Sequence, residues 1–271
     1  MGNTNGITFE QNSFGQRMKT MLKVDFRRMF TMRLVYIMIG LCFVMPVLIL
    51  VMTTAMDGSV SIDPQTGAET VMTAFTSVWQ AIGSISGESA GMSMDLTSMA
   101  NINMLYFIAA VLICIFVSDD FRSGYAKNLF TVRAKRSEYV ISKTLVGFIG
   151  GALMLVAFFV GAMLGGAIAG LPFDLGMLTV GNIVMCMAAK VALMLVFSAL
   201  FVLMSIIGKQ RLWLSIVGSL VSSMLLFTMI PMLTPLDSTM MNVMMCLIGG
   251  AVFSVGVGAI SGYLLKKKSL V

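Results

Sequence analysis

Histidine is absent from the 271 residues. With it go the commonest metal ligand and proton shuttle, and any Ser-His or zinc-protease arrangement. No glycine-rich loop ends in Gly-Lys-Ser/Thr, so the chain has no P-loop with which to cradle ATP phosphates. Charge is sparse: 11% of residues are charged, against roughly 25% in a soluble domain. Net charge is +6, yet no aromatic-basic motif for bases accompanies it, which argues against a nucleic-acid partner. The four cysteines, Cys42, Cys114, Cys186 and Cys246, all fall in apolar runs and read as small buried hydrophobes, not disulfide partners. No catalytic residue, no metal site and no cofactor bound by this chain is expected.

What is there is apolar length. Hydrophobic residues make up 58% of the chain, and the mean hydropathy is +0.95. A helix needs about 20 mostly apolar residues to cross ~30 Å of hydrocarbon. Six stretches meet that need: Leu34–Thr54, Ile102–Ser118, Leu145–Gly170, Asn182–Ile207, Leu212–Ile230 and Met244–Leu265. Continuous runs without strand-scale alternation point to helices. The expected fold is therefore all-α, a polytopic membrane protein of six transmembrane helices.

The basic residues set its orientation. Arg17, Lys19, Lys23, Arg27, Arg28 and Arg33 precede the first run. Arg122, Lys127, Arg133, Lys135, Arg136 and Lys143 lie between the second and third. Lys209 and Arg211 separate the fourth and fifth, and Lys266, Lys267 and Lys268 close the chain. The connections 55–101, 171–181 and 231–243 carry no Lys or Arg. By the positive-inside rule both termini face the cytoplasm. The first run starts too late, and without a small-residue cleavage pattern, to be a signal peptide, so it is read as an anchor.

Two regions follow: 1–33, a cytoplasmic tail with an amphipathic helix, and 34–271, the membrane domain, with an outer segment 55–101 and a cytoplasmic loop 118–144. Residues 1–12 are polar and expected to be disordered. From Phe14 to Phe30, Phe14, Met18, Leu22, Phe26 and Met29 recur at helical spacing, with Arg17, Lys19, Lys23 and Arg27 opposite. This pattern describes an interfacial helix on the inner leaflet; a plain extension of the first span is the alternative. In the outer segment, Val71, Phe75, Val78, Ile82 and Ile85 predict a short helix over 71–85 resting on or capping the bundle, with Trp79 at interfacial depth.

Glycines recur at four-residue spacing in the third span, as Gly147 and Gly151, Gly161 and Gly165, and Gly166 and Gly170. In the sixth, Gly250, Ser254, Gly258 and Gly262 continue the same spacing. Such ladders let helix backbones approach closely, either within one bundle or across a dimer seam. No internal repeat emerges. Lys190 is the only ionisable acid or base inside the runs. It either snorkels outward or lines a substrate path as a cation. Segment 230–242, with Pro231 and Pro235, is either a short re-entrant element or a surface turn. The abundant methionines, among them Met92, Met94, Met99, Met240 and Met241, are read as adaptable packing and not as a copper site.

The loop from Ser118 to Lys143 is the most patterned segment. An acidic pair, Asp119-Asp120, leaves the membrane; Gly124 follows, then Lys127 and an apolar turn, Leu129-Phe130; Lys135-Arg136 precede Tyr139, and Lys143 re-enters the bilayer. Across these residues the chain resembles the type-2 ATP-binding-cassette export permeases, with one departure, Ala134, where relatives often carry Gly or Pro. The resemblance implies a coupling helix that docks on a separate ATPase subunit. Phe121, Gly124, Lys127, Leu129 and Phe130, with Arg136 and Tyr139, would lie near that contact, and Asp119 and Asp120 would tie the loop to the basic N-terminal helix.

The resemblance further implies a permease subunit of an exporter in a bacterial plasma membrane, not itself an enzyme. ATP and Mg would come through the partner ATPase, and a second permease copy or a homologous permease would complete a dimer. The alternatives are a loop charged only to set topology, a non-transporting membrane anchor or assembly factor, and an ATP-independent carrier or channel.

Overall fold

The computed structural model describes residues 14–62, 69–71, 75–85, 101–131 and 135–267. The expectations for residues 1–12 and for Met92, Met94 and Met99 fall outside them. The fold is dominated by helices: α1 Phe14–Thr31, α2 Arg33–Ala55, α3 Leu105–Arg122, α4 Tyr125–Thr131, α5 Arg136–Ala169, α6 Val180–Gly208, α7 Leu212–Phe227, α8 Met229–Leu233 and α9 Met240–Lys267. A small antiparallel pair, β1 Val60–Ile62 and β2 Glu69–Val71, aligns Val60 with Val71 and Ile62 with Glu69.

Among the described residues, five helical segments are long and apolar enough to cross a membrane: Arg33–Ala55, Ile102–Arg122, Arg136–Ala169, Val180–Gly208 and Met240–Lys267. The expected fifth run, Leu212–Ile230, is not one continuous helix. Helix α7 stops at Phe227 after 16 residues, and the chain restarts as α8. Pro231 explains the break, because its ring collides with the carbonyl four residues back, that of Phe227, and it lacks the N–H to continue the ladder. At ~1.5 Å per residue, α7 alone spans about 24 Å.

Helices α5 and α6 form the centre. Helix α2 packs along α5, α9 along α6, and α3 fits between α5, α6 and α7. The crossing of α2 and α5 is a backbone-to-backbone approach. A Cβ at Gly161 would collide with the Phe43 carbonyl beside Pro46, and one at Gly165 would lie 2.8 Å from Val47 Cα. The pair Gly147 and Gly151 departs from the close backbone approach expected of it. Both glycines pack against α6, but each admits a side chain and not a neighbouring backbone. Gly147 leaves room for Ser198, whose hydroxyl donates to the Thr144 carbonyl at 2.6 Å. Gly151 receives the buried Met194, whose methyl lies 2.5 Å from where a Gly151 Cβ would be. At Gly151 the reason is the size of the α6 residue opposite, since Met194 fills the groove that a smaller neighbour would have let α6 itself enter.

Outward-facing residues are apolar: Ile37, Leu41, Leu48 and Met52 on α2, Val217, Val221 and Leu225 on α7, and Leu247, Ile248, Val252 and Val255 on α9 are all exposed. That surface belongs against hydrocarbon.

The expected helix over 71–85 is smaller than predicted. Val71 lies in β2, and the helical part is a single 3₁₀ turn, Val78–Ala81, started by the Ser77 hydroxyl accepting from the Trp79 N–H. It does cap the bundle: Phe75, Val78, Ala81 and Ile82 are buried, Val78 directly over Gly166 and Ile82 beside Leu236 and Cys186.

The spans continue as helix beyond the apolar runs. Helix α5 starts nine residues before Leu145, and at 34 residues it is about 51 Å long. Helix α3 likewise runs on through Asp119, Asp120 and Phe121. These extensions build the loop end of the bundle, where α1, α3, α4 and α5 meet.

Candidate functional site

The last turn of α3 carries Asp119 and Asp120 side by side in sequence but about 100° apart around the helix. Asp120 turns inward and is fully buried; the Asp119 side chain keeps 55% of its exposure. Asp120 accepts from Arg28 of α1 at 2.6 Å, pairs with Lys143 of α5 at 2.7 Å, and accepts the Tyr139 hydroxyl at 3.0 Å. Asp119 approaches Arg28 at only 4.0 Å.

Lys143 is the hub. Its ammonium, with no exposed surface, lies 2.8 Å from Asp25 and 2.7 Å from Asp120, and sits 4.0 Å above the Phe116 ring. Asp25 also accepts from the Ser142 hydroxyl at 2.6 Å. Two carboxylates thus face one ammonium plus the Arg28 guanidinium, so the buried cluster is close to neutral, the condition under which buried charge is tolerated. Burial pulls on the Arg28 guanidinium, but the charge and hydrogen bond of Asp120 outweigh it and push its pKa above the ordinary value. Arg28 also stacks over Tyr125, 4.1 Å from the ring centroid. The Tyr125 phenol is pushed up by burial first and then by the charge of Asp25, with Arg28 opposing. A further pair, Arg17 to Glu138 at 3.0 Å, joins α1 to the first turn of α5.

The turn out of α3 requires glycine. Gly124 has φ +74, the left-handed region that side chains resist. Helix α4 follows. Its Ala126 is buried, Leu129 and Phe130 are half-buried, and Lys127 and Asn128 are exposed. Phe130 meets Tyr139 edge-on at 5.4 Å, and Phe121 does so at 6.3 Å. Arg136 lies 5.8 Å over Phe130 and donates to the Leu265 carbonyl at the end of α9. The arrangement is mechanical: a seven-residue helix held on a charged and aromatic base, with one face free.

Of the residues singled out in sequence, Asp120, Phe121, Tyr139 and Phe130 converge here, whereas Asp119 and Lys127 stand outside. Asp25, Arg28 and Glu138 were missed as members. Asp25 had a signal: it sits three residues after Leu22 and four before Met29, on the apolar stripe of an otherwise basic helix. Helix α1 lays that stripe on α5, with Met29 buried and its sulfur 3.2 Å from where a Gly150 Cβ would be.

Lys190 does not snorkel. It is wholly enclosed at the far end of the bundle, donating to Asn103 Oδ1 at 2.8 Å and Thr234 Oγ1 at 3.0 Å, while Tyr106 donates to its carbonyl. Segment 230–238 is no surface turn: Ile230, Thr234, Leu236 and Ser238 are buried, and the Leu236 N–H bonds to the Ser84 carbonyl. In the α9 ladder, a Cβ at Gly250 would lie 3.5 Å from the Ala192 carbonyl of α6, and the Ser254 hydroxyl donates to the Leu195 carbonyl. A Cβ at Gly262, by contrast, would meet nothing within 4 Å.

A bundle of long apolar helices with a braced, charge-sealed helical loop at one end defines a polytopic membrane protein. The sequence profile of the ABC-2 family transporter proteins matches residues 21–225, from α1 through most of α7. The chain belongs to that family of transporter membrane subunits. No curated protein and no solved structure matches it.

Proposed function

We propose that the chain is the membrane-spanning permease subunit of an ATP-binding-cassette exporter, energised by a separate ATPase subunit that docks on the cytoplasmic loop 118–144. The supporting observation is the bracing of α4. A coupling element must transmit displacement instead of absorbing it. Helix α4 is held by Tyr125 under the Arg28 guanidinium and by Phe130 against Tyr139, two partners themselves bonded to Asp120, while Lys127 and Asn128 are exposed toward a partner. ATP and Mg are bound by the partner; this chain performs no hydrolysis.

In this reading α7 and α8 together make the fifth of six crossings, both termini are cytoplasmic, and α1 lies at the inner leaflet of a bacterial plasma membrane. A second permease copy, or a homologous permease, faces the first around a substrate path. Lys190 stands on that path at its closed outer end, where Asn103 and Thr234 must part from it to open the way.

The test is ATP hydrolysis by the candidate ATPase chain, co-purified with this protein. Lys127→Glu and Asn128→Asp change only exposed positions, so the subunit should still fold while stimulated hydrolysis falls severalfold. Unchanged hydrolysis, or no ATPase bound at all, would favour a non-transporting membrane anchor. Labelling of a cysteine placed at Lys127 from the outer side would refute the orientation.

A further inference from the structure

At the loop end a cavity of about 520 Å³ opens between the first turn of α5 and the last turns of α9. Lys135, Arg136, Ser137 and Lys266 form its polar rim; Gly258, Gly262 and Tyr263 line its wall. The rim is a concentration of positive charge. Among the described residues, no carboxylate lies within 4.0 Å of Lys135, Arg136 or Lys266; the ion pairs there engage Arg17, Arg28 and Lys143. Glu138, the nearest acid in sequence, is buried against Arg17 instead.

The rim is also positioned. Arg136 latches the two helix ends together through the Leu265 carbonyl, which holds its guanidinium at the mouth. Lys135 begins α5 without a side-chain cap, so the first-turn N–H groups add their partial positive charge to the same spot.

The wall has a different character. A Cβ at Gly262 would find open space, and one at Gly258 would find only Val140 Cγ1, at 3.9 Å. These two glycines, one turn apart, do not clasp another helix of this chain. They leave a furrow leading from the cations along the apolar surface, beside exposed Ala259 and Tyr263.

We infer that this furrow binds an anionic phospholipid, its phosphate held by Lys135, Arg136, Lys266 and the Ser137 hydroxyl and one acyl chain lying along Gly262 and Gly258. Basic pockets between membrane helices are suited to such headgroups. A free phosphate would use the cations but leave the furrow empty. A zwitterionic lipid would bring its ammonium against three positive charges. A second copy of this chain would set the same cations against each other. The inference requires only that the bundle lie in a bilayer, and stands apart from the transport reading.

Native mass spectrometry of the full chain in detergent tests it, with phosphatidylglycerol, phosphatidylcholine and inorganic phosphate as probes. One phosphatidylglycerol should be retained in preference to phosphatidylcholine. Lys135→Gln/Lys266→Gln should weaken it about thirtyfold, the loss expected for two cations acting on one anionic headgroup. Gly262→Leu should weaken it severalfold by filling the furrow, and Ala259→Leu, at an exposed neighbouring position, provides a second block should the first variant not fold. Lys19→Gln/Lys23→Gln, an equal charge loss at exposed sites on α1, should leave retention unchanged. An equal loss in that control would reduce the effect to diffuse attraction and overturn the inference. So would equal retention of phosphatidylcholine, or complete displacement by inorganic phosphate with both furrow-filling variants silent.

Discussion

Among the described residues, two lysines have no exposed surface, and they are satisfied in opposite ways. Lys143, at the loop end, is flanked by two carboxylates at 2.8 and 2.7 Å and an aromatic face at 4.0 Å. Lys190, at the far end, has only neutral oxygens, those of Asn103 and Thr234, at 2.8 and 3.0 Å. The first arrangement locks α1, α3 and α5 together, because parting any of them strands a charge away from water. The second joins the turn before α3, the first half of α6 and the segment after α8 through hydrogen bonds from one ammonium to two neutral oxygens. One end of the bundle is closed by ion pairs and the other by hydrogen bonds to neutral oxygens.

The comparison breaks most sharply at Lys143. Lys143→Met leaves Asp25 and Asp120 buried with Arg28 as the one cation left beside them among the described residues, and should cost about 3–5 kcal/mol, read as a large drop in thermal unfolding temperature in detergent. Restoring neutrality with Asp25→Asn in the same chain should recover part of it; no recovery would mean that packing, not charge, dominates there. Asp120→Asn should cost about 1.5–3 kcal/mol, the range for hydrogen bonds to charged groups, since it removes the carboxylate shared by Arg28, Lys143 and Tyr139.

At the far end, Lys190→Met should cost about 1–2 kcal/mol. Met keeps the length, and the Thr234 hydroxyl retains its bond to the Ile230 carbonyl at 2.7 Å, so chiefly the Asn103 oxygen loses its partner. A loss as large as that of Lys143→Met would erase the distinction between the two ends. Smallest of all, Asp119→Asn should stay within about 0.5 kcal/mol, because its contact is long and exposed. That value beside the one for Asp120 measures how differently two adjacent acids can be used.

The apolar runs were legible because crossing a bilayer demands unbroken length, and that demand is written residue by residue. Even so, Leu212–Ile230 carried its own correction in Pro231, which cannot follow an intact helix at Phe227. The helix expected over 71–85 failed for another reason: the spacing of Val78 and Ile82 reflects contact with Gly166 and Leu236 more than local helical preference. Around the loop, Gly124 and the short helix after it follow from local chemistry. The split between Asp119 and Asp120 does not, since it depends on which way α3 is rotated by its neighbours. Glycine spacing was equally mute about its partners. Gly151 takes in the Met194 side chain whereas Gly161 meets the Phe43 backbone, and the furrow at Gly262 was indistinguishable in sequence from the close contact at Gly250.

Taken alone, the sequence determined the membrane class, the helical runs and the loop pattern of the family, because each arises from solvent preference or backbone conformation over a short stretch. Tertiary structure alone decided that Lys143 meets an aspartate 118 positions away, that Lys190 is sealed instead of reaching outward, and that one end of a glycine ladder stays open. Those outcomes depend on how rigid helices rotate against one another, and that rotation is settled by the whole set of contacts at once.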